Sequence, residues 1–310
     1  MCTYNGDRFL GEQLRSIAVQ TVIPDELVVC DDCSSDSTIQ ILENFAATAP
    51  FPVRILRNPK NLGSTQNFAK AIGLCRGELI ALSDQDDVWH EQKLAKLADM
   101  FADRQVGGVF SDGELIDGDG RVLSSSLWRV FGFTAQLRIK WQNEGAASVL
   151  LRQNIVTGAT LMFRSRLREL FLPIPTQWIH DGWIAWIISL AGRLDFISLP
   201  LIYYRIHTAQ QAGIPGLNAK ARLLRATQDK RDDFELAAKQ FECLRDHVMS
   251  NEQLFHLNIL NVLRNKIDHC YFRAGLPENR LSRFTKVWSH LSEYAENSRG
   301  FREALKDMIR

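Results

Sequence analysis

The sequence predicts an α/β fold, and three observations carry that prediction. Short apolar runs alternate with segments of helical apolar spacing through the first hundred residues. Several of those runs end abruptly in acidic clusters. The segments between them suit helices of about ten to fifteen residues, the pattern of a mostly parallel sheet with helices on both faces.

Taken in order, Leu10, Leu14, Ile17 and Ala18 fall on one helical face. Glu26–Cys30 is an apolar run that stops at Asp31-Asp32. Ser35 or Asp36 can cap a second helix carrying Ile39, Leu42, Phe45 and Ala46. Val53–Leu56 reads as a strand, and Phe68, Ala71, Ile72 and Cys75 as a helix. Glu78–Leu82 is a further buried strand, followed by Ser83-Asp84-Gln85-Asp86-Asp87. Leu94, Leu97, Ala98 and Phe101 make the next helix. Asp117-Gly118-Asp119-Gly120 is a hairpin turn within Leu115–Leu123. Residues 124–153 read as a helix plus a long loop. Thr157–Phe163 and Phe196–Tyr204 are strands around a helix with Trp183, Trp186, Ile187 and Leu190. Gly213-Ile214-Pro215-Gly216 breaks the chain, and helical spacing dominates beyond it. The expected division is 1–213 for the α/β domain and 214–310 for a helical extension.

Composition narrows the classes. With 45% apolar and 24% charged residues, the 310-residue chain can bury a sizeable core. Lys plus Arg is 37 against 36 for Asp plus Glu, which gives no basic excess for nucleic acid. The longest apolar stretch, Trp183 to Ala191, is far short of the roughly 20 residues that span a bilayer. Met1 is followed by a polar turn rather than an apolar leader, and six cysteines are too few for a disulfide scaffold. A cytoplasmic protein is expected. The chain opens at Cys2-Thr3-Tyr4-Asn5-Gly6, already at a turn, so the first strand of the sheet is expected to be missing.

In open α/β sheets, ligands bind beyond the carboxyl ends of the strands. Thr3-Tyr4-Asn5, Asp31-Asp32 and Asp84-Gln85-Asp86-Asp87 all fall there. Like charges repel at short range, so clustered acids call for a cation or a donor-rich ligand. Hard carboxylate oxygens suit Mg²⁺ or Mn²⁺, which also take phosphate oxygens. A plainer reading makes these acids solvated loop residues and helix caps. Their recurrence on successive strand ends weighs against it.

These motifs together resemble the family 2 glycosyltransferases of GT-A fold. The resemblance runs through Thr3-Tyr4-Asn5-Gly6, Gln20-Thr21, Asp31-Asp32-Cys33-Ser34-Ser35-Asp36, Asn61-Leu62-Gly63, Arg76-Gly77-Glu78 and Ser83–Trp89. It is nearest to rhamnosyltransferase-like bacterial members, which share pairs like Thr157-Gly158 and His180-Asp181 and a segment like Tyr204-Arg205-Ile206-His207. It covers residues 2–213 and implies a mixed, mostly parallel sheet and an inverting, metal-dependent transfer of sugar from a UDP- or dTDP-sugar in cell-surface polysaccharide synthesis.

The resemblance also implies roles. Thr3, Tyr4 and Asp32 would hold the nucleotide base, Asp84 would face the ribose, and Asn61, Gly63, Asn67 and Arg205 would shape the donor pocket. Asp86, with Asp84 and His207, would hold Mg²⁺ or Mn²⁺. Asp181 would be the general base that takes the acceptor hydroxyl's proton. The implied acceptor is a glycan or a lipid-linked glycan, which allows a peripheral contact at the inner face of the plasma membrane and a homo-oligomer. Cys33 stands where Gly is usual, and a positive φ there would be strained. His180 reads either as a neighbour that orients the base or as an ordinary helix N-terminal residue. Trp186 reads as core packing. Lys220, Arg222, Arg225, Lys230 and Arg231 interleave with acids and read as a solvated face more than a membrane face. The competing function is a catalytically silent relative that binds nucleotide or a partner. A nucleotidyltransferase is disfavoured for want of a Gly-rich basic loop near the start.

Overall fold

The structure is a computed structural model, and it describes residues 1–207, 230–255 and 258–309. The Gly213–Gly216 break, the 213/214 boundary and the bases Lys220, Arg222 and Arg225 lie outside the described residues. The chain divides into two units, one of Met1–Ala146 with Ile155–Gln210 and one of Ala147–Asn154 with Gln211–Arg310.

The first unit opens with three parallel strands in the order β1 (Cys2–Thr3), β2 (Leu27–Asp31), β3 (Val53–Arg57). Helix α1 (Asp7–Ala18) follows β1 and buries Leu10, Leu14 and Ile17, the face its spacing predicts. α2 (Thr38–Ala46) and α3 (Ser64–Leu74) follow β2 and β3. The second sheet holds β4 (Leu79–Ala81), β5 (Val88–Trp89), β6 (Val106–Ile116), β7 (Val122–Ser124), β8 (Leu161–Arg164) and β9 (Arg193–Arg205), in the order β4-β8-β6-β9-β5 with β7 beside β6. Only β6 and β9 pair in parallel there. The sheet is mixed, as expected, but parallel pairing dominates only its first half.

Of the expected first strand, two residues are present as β1. Cys2 and Thr3 pair in parallel with Cys30 and Asp31, and the Cys2 amide donates to the Ser83 carbonyl at 3.2 Å. These two residues bridge the sheets at the level of the strand ends. Beneath them a cavity of about 190 Å³ lies between Leu27-Val28 of β2 and Leu79–Ala81 of β4, with Met1 and Trp89 in its wall.

Residues 127–150 form three short helices rather than one helix and a long loop: α5 (Leu127–Phe131), α6 (Ala135–Glu144) and α7 (Ala147–Leu150). The first two bring Trp128 and Trp141 onto Phe110 and Phe196 of the sheet, with ring centroids 5.3–6.2 Å apart. α4 (Lys93–Asp99) follows β5, and α8 (Arg168–Phe171) precedes α9 (His180–Ala191). Ile184, Ile187 and Ile188 of α9 are fully buried. Its close approach explains Gly107 and Gly108 in β6: a Cβ on either would meet Leu167, Leu194 or Ile188 within 2.8–3.2 Å.

The second unit holds α10 (Arg231–Ser250), α11 (Ile259–Ala274), α12 (Arg280–Ser289), α13 (Leu291–Asn297) and α14 (Phe301–Ile309). Its small core gathers Leu276, Val287, Tyr294, Ala304 and Met308. Inside it, buried Asp307 accepts from Arg273 Nε at 2.6 Å and from the Tyr294 hydroxyl at 2.7 Å. No described helix is long and apolar enough to cross a membrane.

Candidate functional site

The end of β1, the end of β2, the turn from β3 into α3, the loop after β4, the end of β9 and the first turn of α9 carry the predicted site residues. Hydrogen bonds sort them into those that face outward and those that build the scaffold.

The inner layer is scaffold. Asp31 Oδ2 accepts from Thr3 Oγ1 at 2.8 Å and from Ser34 Oγ at 2.5 Å. Asp32 is buried too; its Oδ1 accepts from the Leu62 amide at 2.7 Å and Asn58 Nδ2 at 2.8 Å, and its Oδ2 from the Gly63 amide at 2.9 Å. Asp32 thus ties down the Asn61-Leu62-Gly63 turn, which Asn61 Oδ1 also closes onto the Gly63 amide at 3.0 Å. Gly63 sits at φ +78°, ψ 156°, a region open almost only to glycine. Cys33 takes φ +71°, the strained conformation expected of it.

Like Asp32, three more of the predicted ligand contacts are buried and engaged with the protein itself. The Thr3 side chain is 2% exposed and spends its hydroxyl on Asp31. Asn67 is 2% exposed, accepts from Asn58 Nδ2 and donates to the Cys30 carbonyl at 2.8 Å. Arg205 is 2% exposed; its guanidinium donates to the Asp86 and Asp117 carbonyls and to Glu12 Oε2, and lies 4.7 Å over the Phe9 ring. A guanidinium so engaged braces the acidic loop.

The outer layer is acidic and under electrostatic strain. Asp86 Oδ2 lies 2.9 Å from His207 Nε2, both largely covered. Burial first, then the charges of Asp86 and Asp181, push the Asp84 carboxyl up to about 7. Burial and the same two neighbours in the loop, Asp86 and Asp84, raise Asp87 well above the usual carboxylate range. Asp87 Oδ1 accepts the Arg205 amide at 3.0 Å, while its buried Oδ2 has no hydrogen-bond partner. Burial also pushes the Tyr204 phenol far up, and Asp87, Asp84, Asp86 and Asp181 add to it in that order. The charges of four carboxylates therefore all act on one phenol.

Asp181 opens α9, its Oδ1 accepting the Gly182 amide at 2.6 Å and its Oδ2 the Gly158 amide at 3.2 Å. His180 beside it is buried, stacked on Phe68 at 4.1 Å, with neither ring nitrogen hydrogen-bonded. Burial lowers its pKa, against the pull of the neighbouring Asp181 charge. Trp183 and Trp186 are both core residues, and Trp183 Nε1 donates to the Phe171 carbonyl.

The donor set fits a divalent cation in part. The Asp86 carboxylate, the adjacent His207 imidazole and the crowded Asp84 and Asp87 carboxylates offer hard ligands and a reason to welcome positive charge. No group of three or more His, Cys, Asp or Glu side chains is assembled as a ready metal cage among the described residues. Ligands from a bound substrate would have to complete the shell, as is usual for Mg²⁺ on phosphates.

Sequence reasoning missed three contributors. Gln85, between the acids, turns back onto Tyr4. Tyr204, packed against the hydrophobic core, feels the charge of all four carboxylates. Lys93 is fully buried, donates to the Ala159 carbonyl at 2.5 Å, lies 3.8 Å over the Trp89 ring and is pushed down to about 7 by burial. The only hint of Lys93 in the sequence was its place between Trp89 and Leu94 on an otherwise apolar face.

Acids at strand ends on a two-part mixed sheet define an α/β protein of the GT-A kind. The glycosyl transferase family 2 matches residues 1–170, more than half of the chain, and the chain belongs to that family. An uncharacterized glycosyltransferase of Nostoc sp. is 28% identical over 213 residues, 66% of this chain and 63% of that protein. The dTDP-rhamnosyl transferase RfbG of Shigella flexneri is 35% identical over 103 residues, 32% of this chain and 36% of that protein. The chain thus spans less than two thirds of the length of these relatives. Among solved structures, S. aureus TarS with UDP-GlcNAc has a TM-score of 0.54 at 17% identity, covering 99% of this chain and 87% of that one. A mannosyltransferase from Pyrobaculum calidifontis with GDP-Man and Mn²⁺ has a TM-score of 0.52 at 19% identity, covering 98% and 75%. At these identities the structural likeness speaks for the fold.

Proposed function

We propose that the chain is an inverting, metal-dependent glycosyltransferase that moves a sugar from a UDP- or dTDP-sugar to a hydroxyl of a glycan or lipid-linked acceptor in cell-surface polysaccharide synthesis. The Asp86–His207 contact, in a loop where Asp84, Asp86 and Asp87 repel one another and Asp84 also feels the charge of Asp181, carries this reading. Membership of the family supports it.

Each role follows from place and chemistry. Tyr4 is 39% exposed at the end of β1, where its ring can stack on a pyrimidine. Asp32 sets the turn at Asn61–Gly63 that walls the base. Asp86 and His207, with Asp84, hold Mg²⁺ or Mn²⁺, and such an ion when bound neutralises charge on the diphosphate leaving group. Asp181 accepts the proton of the attacking hydroxyl, held in place by the Gly158 and Gly182 amides. The catalytic domain is residues 1–213 and the helical extension 214–310.

A peripheral membrane contact suits α12, where Leu281, Phe284 and Trp288 are exposed in one stripe beside Arg280. The test of the whole reading is turnover. Supplied with UDP- or dTDP-sugars and Mn²⁺, the chain should release UDP or dTDP slowly to water and faster with acceptor. Metal-dependent nucleotide binding without any release would favour a silent relative instead.

A further inference from the structure

Gln85 stands between Asp84 and Asp86, yet it does not point with them. Its Oε1 accepts the Tyr4 amide at 2.8 Å and its Nε2 donates to the Tyr4 carbonyl at 3.0 Å. One side-chain amide thus satisfies both polar groups of one backbone residue, as a paired strand would. The space it needs is made by Gly6: a Cβ there would lie 2.2 Å from Gln85 Oε1 and 2.4 Å from its Cδ. Gly6 itself has φ −108°, which any residue adopts, so its backbone does not demand glycine. The demand comes from Gln85.

We propose that Gln85 is a positioning residue that locks the Tyr4 turn to the Asp84–Asp86 loop, so that the base and the diphosphate of a nucleoside diphosphate are gripped as one unit. The Cys2 amide on the Ser83 carbonyl already holds these two segments together, and Gln85 adds the contact to Tyr4 itself. On either side of Tyr4 the chain is anchored, by the Thr3 carbonyl on the Asp32 amide and by the Asn5 amide on Ser34 Oγ, so Gln85 governs the Tyr4 peptide and its exposed ring. The acid loop has braces of its own, Arg205 on the Asp86 carbonyl and the Arg205 amide on Asp87, so it holds its shape when Gln85 is removed. The effect is therefore local: loss of Gln85 leaves the Tyr4 amide and carbonyl without that partner and loosens the ring's seat, and it spares the phosphate half. This inference rests on the donor reading above for its ligand, though not for its geometry.

The experiment titrates UDP and inorganic pyrophosphate separately, each with Mn²⁺, into the native chain and Gln85→Leu. Gln85→Leu should weaken UDP by about tenfold, the scale of one or two lost hydrogen bonds, while pyrophosphate changes by less than about twofold. Gly6→Ala, by expelling Gln85, should reproduce that loss, and in a Gln85→Ala background it should cost nothing further. The same non-additivity should appear in melting temperature without any ligand. UDP and pyrophosphate falling together would mean a general structural role and overturn the proposal. So would Gly6→Ala destabilising equally with and without Gln85. A native chain that binds neither ligand but retains the Gly6–Gln85 non-additivity would sink the donor reading and keep the lock as geometry alone.

Discussion

Asp181 and Gly158 are joined by a hydrogen bond from the Gly158 amide to Asp181 Oδ2 at 3.2 Å. A Cβ on Gly158 would sit 2.8 Å from Nε2 of His180, so the glycine also makes room for the ring that precedes Asp181. Two dipeptides distant in sequence, Thr157-Gly158 and His180-Asp181, thereby form one corner. It places the Asp181 charge close enough to Asp84 to raise the latter's pKa.

If Asp181 is the general base, Asp181→Asn should cut transfer by roughly 10²- to 10⁴-fold while UDP binding survives. Asn keeps one oxygen to accept an amide, so stability should fall by no more than about 1 kcal/mol. Turnover and melting measured on the same preparation separate the roles. Near-native turnover would reduce Asp181 to a helix cap, and His180 would be the next residue to test.

Cys33 at φ +71° should be a site of easy stabilisation. The left-handed region costs an ordinary residue about 1–2 kcal/mol and glycine almost nothing, though glycine loses more entropy on folding. Cys33→Gly should gain about 1 kcal/mol in denaturant unfolding with an unchanged slope. A loss of stability would mean that the Cys33 side chain contributes more by contact than its backbone costs.

What the sequence made legible follows a physical divide. Helix faces such as Leu10, Leu14 and Ile17 and strand-end acids such as Asp84 and Asp86 are set by local spacing, and both appeared as expected. The first half of β6 carries no strand signal in the sequence because Gly107-Gly108 lack side chains to show alternation; the close packing of α9 requires small residues there. Parallel pairing was over-extended for a related reason: periodicity reveals that a strand is buried, not which way its neighbour runs. The bracing contacts of Arg205 were not legible because their partners, Glu12 and Asp117, lie far away in sequence. Gln85 and Lys93 were invisible as functional candidates, since their significance lies wholly in what they touch.

The raised pKa of Asp84 makes stability depend on pH in a definite direction. Its folded-state value, about 7, lies above the ordinary carboxylate value near 3.9, so the folded chain holds the proton more tightly. Below about pH 4 the group is protonated in both states and costs nothing. As pH climbs from about 4 to about 7 the metal-free chain should lose stability, and Asp84→Asn should remove much of that fall. A native chain whose stability rises over this window, with Asp84→Asn tracking it in parallel, would contradict the assignment.

The most direct test is calorimetric titration of UDP into the native chain and into Asp86→Ala, with Mn²⁺ and with chelator. The account predicts that UDP binds the native chain only with Mn²⁺, and that Asp86→Ala melts like the native chain but has lost the metal-dependent affinity. Equal UDP affinity with and without Mn²⁺, or metal-dependent binding that survives Asp86→Ala, would contradict it.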